Sequence, residues 1–260
     1  MTEAALELFA CEYARHRGEE GRGYGEGALL QLPYLDCGAH AAQWRVRART
    51  FDTFMDRVLR PAAERAARPL DVLDLGAGSG WLSYRVALEG HHALALDIRN
   101  DTIDGLGAAA VFQSRTKNIE CVIASFDAIP LRSESVDVAL FNASLHYATD
   151  LGAVLREALR VVRPGGQVAI LDSPFYEREA EGLAMIEEKR SAFGSRAGVL
   201  MALPFVEFLT RARLLEAVPN HAWKRHKVRY PLAYELRPLV AALARKRKPS
   251  RFDIWTSERP

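Results

Sequence analysis

A glycine-rich segment, Gly-Ala-Gly-Ser-Gly at residues 76–80, directly follows a short apolar run at residues 72–75. Glycine adopts backbone conformations that other residues avoid, and its missing side chain lets a ligand approach the main chain closely. Further short apolar runs alternate with stretches of helical periodicity as far as Leu171. Nearly continuous apolar strands with helices between them indicate a parallel sheet that is covered on both faces. The pattern therefore predicts a doubly wound α/β fold.

The chain is interpreted as a helical N-terminal cap, residues 1–68, followed by a main domain, residues 69–260. Five glycines within residues 18–27 predict a mobile loop in the cap, because glycine loses the most backbone entropy when it is fixed. A long amphipathic helix is expected over residues 40–60, and Pro61 is expected to end or kink it.

Seven strands are expected in the main domain, with helices between most of them. We place the strands at residues 72–75, 93–97, 121–124, 136–141, 167–171, 223–230 and 252–257. We place the helices at residues 80–89, 102–115, 151–162, 209–218 and 232–247. Residues 173–204 are mostly polar and too long for a simple connection, so we interpret them as a helical lid inserted after the fifth strand.

The composition, 49% hydrophobic and 26% charged, is that of an ordinary water-soluble globular protein. No apolar run is long enough to span a membrane, and the acidic start of the chain is unlike a signal peptide. Cys11, Cys37 and Cys121 are not clustered, which argues against a disulfide framework or a zinc site. These features predict a protein of the reducing cytoplasm.

The net charge of +2 hides an asymmetry along the chain. Residues 221–251 contain ten Lys and Arg against one acid, Glu235, and so carry +9, which leaves −7 for the remainder. Such a basic segment could hold a phosphate-bearing substrate, nucleic acid or an acidic membrane surface. The alternative is a solvated helix face that binds nothing.

The spacing around the glycine-rich turn indicates which nucleotide it holds. Asp97 ends the second expected strand, 21 residues after Gly76, where a carboxylate can bind both ribose hydroxyls. The dinucleotide fingerprint requires a third small residue for close packing of helix on strand, but that position is Trp81. A dinucleotide pyrophosphate on this turn is therefore not expected.

The Gly-x-Gly-x-Gly turn resembles motif I of the class I S-adenosylmethionine-dependent methyltransferases, and the similarity extends over residues 70–171. The resemblance implies a Rossmann-like, mostly parallel seven-stranded sheet, S-adenosylmethionine as cofactor and S-adenosylhomocysteine as product. It also implies a set of cofactor-binding residues. They are Asp74, Gly76, Ala77, Gly78, Ser79 and Gly80 for the methionine part, Asp97 and Ile98 for the ribose, Ser125, Phe126 and Asp127 for adenine, and Asn142 after strand four.

The adenine-binding segment departs from the family pattern. Many members have an acidic residue in this segment that contacts the adenine amino group. In this chain the corresponding position falls near Ser125. Recognition here is expected to use the Ser125 hydroxyl, the Asp127 carboxylate or the backbone of Phe126. The alternative for Asp127 is that it only caps a short helix.

An arginine of the long N-terminal helix is a candidate for the methionine carboxylate, which the guanidinium fork can bind with two hydrogen bonds. Of Arg45, Arg47 and Arg49, Arg47 lies nearest the apolar face, four residues before Phe51. The alternative for Arg47 is a solvated side chain.

Several methyl acceptors are disfavoured by motifs that this chain lacks. Nucleic-acid amino methyltransferases of the class commonly carry Asp/Asn-Pro-Pro-Tyr where this chain has Asn-Ala-Ser-Leu at residues 142–145. Pyrimidine C5 methylation needs a nearby cysteine nucleophile, and Cys121 lies within the third expected strand. Metal-dependent O-methyltransferases require an acid where this chain has Asn142. The sequence thus favours an enzyme that uses no metal.

His146 is the candidate general base. It follows the fourth expected strand, and Asp172 follows the fifth, at the edge where open α/β sheets bind ligands. Adjacent strands lie about 4.8 Å apart, so the carboxylate could orient the imidazole and raise its basicity. Alternatively, His146 packs beneath the lid or caps the helix that begins near Asp150. Tyr147 and Tyr24 are further candidates for orienting the substrate.

Together these features predict a cytoplasmic, metal-independent methyltransferase that acts on a hydroxyl, or less favourably an amine, of a small molecule. One alternative is an RNA methyltransferase whose basic C-terminal segment follows the phosphates. Another is a protein that binds S-adenosylmethionine without turnover. The sequence leaves the oligomeric state open.

Overall fold

The computed structural model describes residues 3–36, 38–193 and 203–260, and within them seven strands form one sheet. The strands are β1 (Asp71–Leu75), β2 (His92–Asp97), β3 (Ile119–Ile123), β4 (Val136–Asn142), β5 (Val162–Leu171), β6 (Lys224–His226) and β7 (Ile254–Glu258). Their order is β3-β2-β1-β4-β5-β7-β6, and β7 runs antiparallel to both of its neighbours. The predicted Rossmann-like, mostly parallel seven-stranded sheet is confirmed.

The helices of the described residues lie before, between and after these strands. They are α1 (Glu3–Glu19), α2 (Glu26–Gln31), α3 (Ala41–Phe54), α4 (Arg60–Ala66), α5 (Trp81–Leu88), α6 (Ala110–Gln113), α7 (Leu151–Val161), α8 (Glu179–Phe193), α9 (Arg211–Ala217), α10 (Leu232–Glu235) and α11 (Arg237–Leu243). None of them combines the length and apolar character that a membrane crossing requires.

Both faces of the sheet are buried. Successive strand residues point to opposite sides, so each strand contributes side chains to both cores. On one face, Val72 and Val138 share a core with Trp44 of α3 and Trp81 of α5. On the other face, neighbouring strand residues pack against helix α7 and helix α9. The N-terminal helices thus share a core with the sheet, and the division at residues 68 and 69 stays a prediction.

Pro61 neither ends nor visibly interrupts the helical path. A π-helical turn, Met55–Leu59, joins α3 directly to α4, and Pro61 occupies the first turn of α4. Just before the proline, the N–H of Arg60 donates to the carbonyl of Met55, which is the wider spacing of a π-helix. Pro61 itself has no N–H to donate. The expected end or kink is therefore replaced by a local change in hydrogen-bond spacing, which sequence periodicity does not reveal.

Two expected elements are shorter than predicted. The helix expected over residues 102–115 forms only from Leu106 to Gln113, as a 3₁₀ turn and α6, because the Asp101 carboxylate accepts hydrogen bonds from the backbone of Ile103 and Asp104. The strand expected over residues 223–230 is reduced to β6.

The helix expected over residues 232–247 is divided at Leu236 into α10 and α11, although helical hydrogen bonds continue across Leu236, and it ends earlier than expected, at Leu243. Two other predictions are only partly covered by the structure. The loop between α1 and α2 spans residues 20–25, shorter than the predicted glycine-rich segment, and its mobility stays a prediction. Helix α8 lies in the predicted lid, whose residues 194–202 fall outside the described ranges.

Candidate functional site

A cavity of about 340 Å³ opens at the carboxyl ends of the parallel strands. This is the edge at which open α/β sheets bind their ligands. Most of the predicted site residues line it. They are Arg47, Gly76, Ala77, Gly78, Ser79, Asp97, Ile98, Ser125, Phe126, Asp127, Asn142, His146 and Asp172.

The glycine spacing follows from the backbone of the turn. Gly76, Gly78 and Gly80 all have positive φ, at 73°, 57° and 78°, which side chains other than glycine rarely tolerate. The backbone N–H groups of Gly76 and Ala77 both donate to the carbonyl of Leu96, at 2.8 and 3.0 Å. The turn is therefore held against β2 and leads into α5.

Gly76 also has no room for a side chain. A Cβ atom at this position would lie 2.5 Å from Cβ of Ser144, the residue whose hydroxyl donates to the carbonyl of Leu75. The turn thus packs its backbone directly on the segment that follows β4. Sequence analysis missed Ser144, which lines the cavity and fixes this contact.

Asp97 ties the glycine-rich turn to the end of β2. Its Oδ2 accepts a hydrogen bond from the backbone of Gly78 at 2.7 Å, and its Oδ1 accepts one from the backbone of Arg99 at 2.9 Å. Burial raises the pKa of the carboxyl, while nearby Arg99 opposes that rise. Asp97 therefore shapes the cavity wall even before any ligand contact.

Asp74 and Gly80 do not line the cavity, in contrast to the expectation for cofactor-binding residues. Oδ2 of Asp74 accepts a hydrogen bond from the hydroxyl of Ser83 in α5 at 3.0 Å, and burial raises the pKa of this carboxyl to about 7. Gly80 begins α5 and donates its backbone N–H to Ala77. Both residues support the turn from behind.

In the segment predicted to bind adenine, Asp127 has a free hydrogen-bond acceptor. The hydroxyl of Ser125 already accepts a hydrogen bond from the backbone of Asp127 at 3.3 Å. Oδ1 of Asp127 is buried and has no hydrogen-bond partner in the described structure. No described helix begins at Asp127, so the structure does not support the capping alternative.

Arg47 is placed as expected relative to its two neighbours. Arg45 and Arg49 are exposed, whereas Arg47 is partly buried and lines the cavity. Its guanidinium lies 5.0 Å from the ring of Trp44, which keeps the side chain against the cavity wall. A contact between Arg47 and a carboxylate of the cofactor stays a prediction.

His146 lies in a 3₁₀ turn, Leu145–Tyr147, that a contact from Glu207 holds in place. The backbone of Glu207 donates to the carbonyl of His146 at 2.8 Å. His146 does not cap the next helix, because the carboxylate of Asp150 accepts the hydrogen bond from the backbone of Ala153. Nδ1 of His146 is buried and has no hydrogen-bond partner among the described residues.

The expected hydrogen bond between His146 and Asp172 is not formed. Asp172 has a left-handed backbone, φ 49°, and its carboxyl interacts with Arg47 and Thr50 of α3. Burial, reinforced by the positive charges of Lys189 and Arg47, lowers the pKa of His146 to about 3. Both residues line the cavity, but the imidazole is neutral because it is buried rather than because a carboxylate orients it.

Asp172 is expected to destabilise the ligand-free protein. Burial raises the pKa of its carboxyl from 3.8 to about 6, so the folded state binds more protons than the unfolded state between these values. The free energy of unfolding then falls as pH rises through about 6, by roughly 3 kcal/mol in total. Asparagine removes the charge and tolerates a left-handed backbone. Asp172→Asn should therefore raise the free energy of unfolding at about pH 8 by up to about 3 kcal/mol.

Urea unfolding of wild type and Asp172→Asn across the pH range measures this difference, which should shrink toward about pH 4. The exposed Asp36 provides a matched control, and Asp36→Asn should change stability little at any pH. An Asp172→Asn variant that is less stable than wild type at about pH 8 would contradict the assignment of Asp172 as a buried, strained charge.

An aromatic wall encloses the side of the cavity near His146, and sequence analysis identified only one of its members. Its members are Phe9, Tyr13, Tyr147 and Phe205. The rings of Phe9 and Phe205 lie 4.9 Å apart, and the hydroxyls of Tyr13 and Tyr147 lie 3.0 Å apart. Phe9, Tyr13 and Arg17 follow at intervals of four residues, a helical stripe that was visible in the sequence.

Helix α1 is fastened over the cavity by an ion pair that sequence analysis also missed. The guanidinium of Arg17 lies 2.6 Å from the carboxylate of Asp104 in the loop after β2, and the guanidinium of Arg99 lies 4.8 Å from the ring of Tyr13. Tyr24, an expected substrate contact, instead accepts a hydrogen bond from the indole of Trp44 at 2.7 Å and does not line the cavity.

Metal ligands are not gathered anywhere in the parts of the chain that the structure describes, where no group of three His, Cys, Asp or Glu side chains could hold an ion. Metal independence stays a prediction.

Comparisons with known proteins agree with this geometry. Residues 73–170 match the family model described as "Methyltransferase domain". The chain is 33% identical over 132 residues to tRNA 5-carboxymethoxyuridine methyltransferase of Escherichia coli K12, covering 50% of this chain and 48% of that protein. It is 36% identical over 114 residues to malonyl-[acyl-carrier protein] O-methyltransferase of Pseudescherichia vulneris, covering 44% and 42%.

Among solved structures, geranyl diphosphate C-methyltransferase of Streptomyces coelicolor has a TM-score of 0.62 at 12% identity and covers 97% of this chain and 98% of that one. That likeness shows the fold. The matched segment spans about half, or less, of the curated relatives' length. The match to the family model contains the glycine-rich turn, Asp97, the segment predicted to bind adenine and the end of β4. Residues 73–170 therefore match a methyltransferase domain, and the sheet that contains them has the fold of a solved methyltransferase.

Proposed function

We propose that this chain transfers a methyl group from S-adenosylmethionine to a hydroxyl of a small molecule, without a metal and with His146 as the base. The observation that carries the proposal is the neutral imidazole of His146, whose Nδ1 lacks a partner. It lies between the aromatic wall and the strand ends that carry the cofactor motifs.

The residues of the cavity fit S-adenosylmethionine. Buried oxygen atoms of Asp127 and Asn142 face no protein donor in the described structure, so they are free to accept hydrogen bonds from a ligand. Gly76 and Gly78 present backbone where any side chain would collide or be strained. We assign Asp127 to the adenine, Asp97 to the ribose, and the glycine-rich turn with Arg47 to the methionine part.

The bound cofactor supplies an electrophilic methyl group on a sulfonium. The chain then mainly has to align the acceptor oxygen and exclude water. The aromatic wall is placed to exclude water and to position the acceptor. It combines the rings of Phe9 and Phe205 with the paired hydroxyls of Tyr13 and Tyr147. The pKa of Tyr147 is raised well above its usual value by burial, so this phenol stays protonated and keeps a proton that it can donate.

His146 is a weak base, but a weak base suffices for this reaction. The hydroxyl proton becomes strongly acidic as the oxygen gains the methyl group, so a ring with a pKa of about 3 can accept it late in the reaction. Lys189 and Arg47 disfavour a lasting imidazolium, which favours rapid release of the proton to solvent.

An RNA acceptor is less well supported, although one relative bears the name of a tRNA methyltransferase. Single-stranded nucleic acid is usually bound on exposed aromatic side chains. In the basic segment, Trp223 and Tyr230 are buried, and the ring of Tyr234 is covered by the guanidinium of Arg237 at 3.5 Å. The aromatic residues of this segment are thus engaged within the protein.

Methyl-labelled S-adenosylmethionine tests the proposal when it is incubated with the protein and a panel of acceptors. The panel contains phenols, aliphatic alcohols, carboxylic acids, amines and bulk tRNA. We expect label to enter a small-molecule hydroxyl, with S-adenosylhomocysteine formed in equal amount. Label in tRNA alone would establish the RNA alternative, and cofactor binding without transfer to any member would support a non-catalytic binding protein.

A further inference from the structure

Five large apolar side chains are exposed together on α10 and α11. They are Leu232, Leu236, Leu239, Val240 and Leu243, which are 73%, 42%, 57%, 60% and 79% exposed. Their spacing is that of one helix face, and the two helices run on through Leu236, whose backbone bonds to Leu232 and Val240 continue the helical pattern. We call this set the α10–α11 surface. Contiguous apolar patches on a protein surface commonly mark interaction sites.

Unpaired positive charge surrounds the α10–α11 surface. Arg229, Arg245 and Lys246 are exposed, and none forms an ion pair with an acid of the described ranges. By contrast, other basic residues of the segment are already neutralised within the protein. Arg247 pairs with Glu188 at 2.7 Å, and Lys248 pairs with Glu177 at 2.5 Å. Arg229 lies three residues before α10, and Arg245 and Lys246 closely follow α11, so these charges flank the apolar face along the chain. Lys224 and Lys227 are also exposed and form no ion pair within the described ranges, but they lie in and just after β6.

An apolar helix face flanked by cations is complementary to a lipid membrane with anionic headgroups at its surface and hydrocarbon chains below them. The lysine and arginine side chains would meet lipid headgroups while the leucines enter the acyl boundary. The exposed apolar groups are aliphatic and not aromatic, which favours lipid over the stacked bases of RNA. We propose that the α10–α11 surface docks the protein on an anionic lipid membrane.

The α10–α11 surface adjoins the cavity through two aromatic rings. The ring of Tyr234 in α10 lies 6.5 Å from the ring of Phe252, and Phe252 lines the cavity. Membrane docking would therefore occur next to a wall of the candidate active site. The proposal does not depend on methyl transfer, because its test measures binding to lipid.

Co-sedimentation with vesicles tests the proposal on the full chain. Vesicles of phosphatidylcholine mixed with phosphatidylglycerol should bind the protein, and vesicles of phosphatidylcholine alone should bind it much more weakly. Each basic side chain near an anionic surface contributes roughly fivefold, so the triple variant Arg229→Gln, Arg245→Gln, Lys246→Gln should bind about a hundredfold more weakly. The double variant Leu232→Glu, Leu243→Glu should lose binding to both vesicles.

Matched controls are available elsewhere on the surface. Arg45, Arg65 and Lys117 are exposed and basic, and Leu88 and Leu183 are exposed to 54% and 53%. Changing the first three to Gln, or the last two to Glu, should leave vesicle binding unchanged. Equal losses in the controls, or no preference for anionic vesicles, would overturn the proposal. Two further results would also overturn it, each with vesicles that remain unbound. In the first, the protein self-associates and the Leu232→Glu, Leu243→Glu variant does not. In the second, the protein binds bulk tRNA and the same variant does not.

Discussion

His146→Ala is expected to lower the turnover number by roughly two to four orders of magnitude, the usual contribution of general acid–base catalysis. The affinity for S-adenosylhomocysteine should barely change, because the glycine-rich turn, Asp97 and Asp127 remain in place. Burial lowers the pKa of His146 to about 3, so the ring is neutral at every pH near neutrality. The ratio of wild-type to variant turnover should therefore be the same at about pH 5 and about pH 8.

The exposed His92 in β2 provides the control, and His92→Ala should keep wild-type turnover. A ratio that falls toward low pH would instead mean that His146 titrates near its usual value, as a carboxylate-paired imidazole would. Near-wild-type turnover in His146→Ala would show that the histidine is structural, and the base would have to be sought elsewhere.

Gly76→Ala is expected to weaken S-adenosylhomocysteine binding by roughly two orders of magnitude. Its φ of 73° is strained for alanine, and the new Cβ would lie 2.5 Å from Cβ of Ser144. The turn has to move to relieve this overlap, at a cost of a few kcal/mol. Isothermal titration calorimetry measures the affinity, and circular dichroism checks that the variant is folded.

The Gly165→Ala variant is the control for Gly76→Ala, because it introduces backbone strain without steric overlap. The φ of Gly165 is 77°, but no atom lies within 4 Å of the position that a Cβ would take. Gly165→Ala should thus lose about 1–2 kcal/mol of stability and keep full affinity for S-adenosylhomocysteine. If Gly76→Ala also keeps wild-type affinity, the glycine-rich turn does not contact the cofactor.

The sheet and the turn could be predicted because their signals are local. Nearly continuous apolar runs indicate a parallel sheet that is buried on both faces. Gly76, Gly78 and Gly80 mark a turn whose positive φ angles other residues rarely adopt. Element lengths were less predictable. The helix after β2 is short because Asp101 bonds to two backbone groups, and a capping contact of this kind competes with helix formation without changing the hydrophobic pattern.

The relation of His146 to Asp172 could not be predicted from strand order alone. Adjacent strands bring two residues to the same edge, but one backbone angle decides where each side chain goes. The φ of 49° at Asp172 accompanies a contact with α3, a helix from a distant part of the chain. The aromatic wall likewise joins α1 to residues 147 and 205. The stripe of Phe9 and Tyr13 on α1 is visible in the sequence, but the distant residues that it contacts are not.

The central claim is that the cavity at the strand ends is built for S-adenosylmethionine. Calorimetric titration of the wild-type protein with S-adenosylhomocysteine and with NAD tests it most directly. We predict one site for S-adenosylhomocysteine, no comparable binding of NAD, and at least a tenfold loss of affinity in Asp97→Ala, which removes both backbone contacts of that carboxylate. Preferential binding of NAD, or unchanged affinity in Asp97→Ala, would contradict the account.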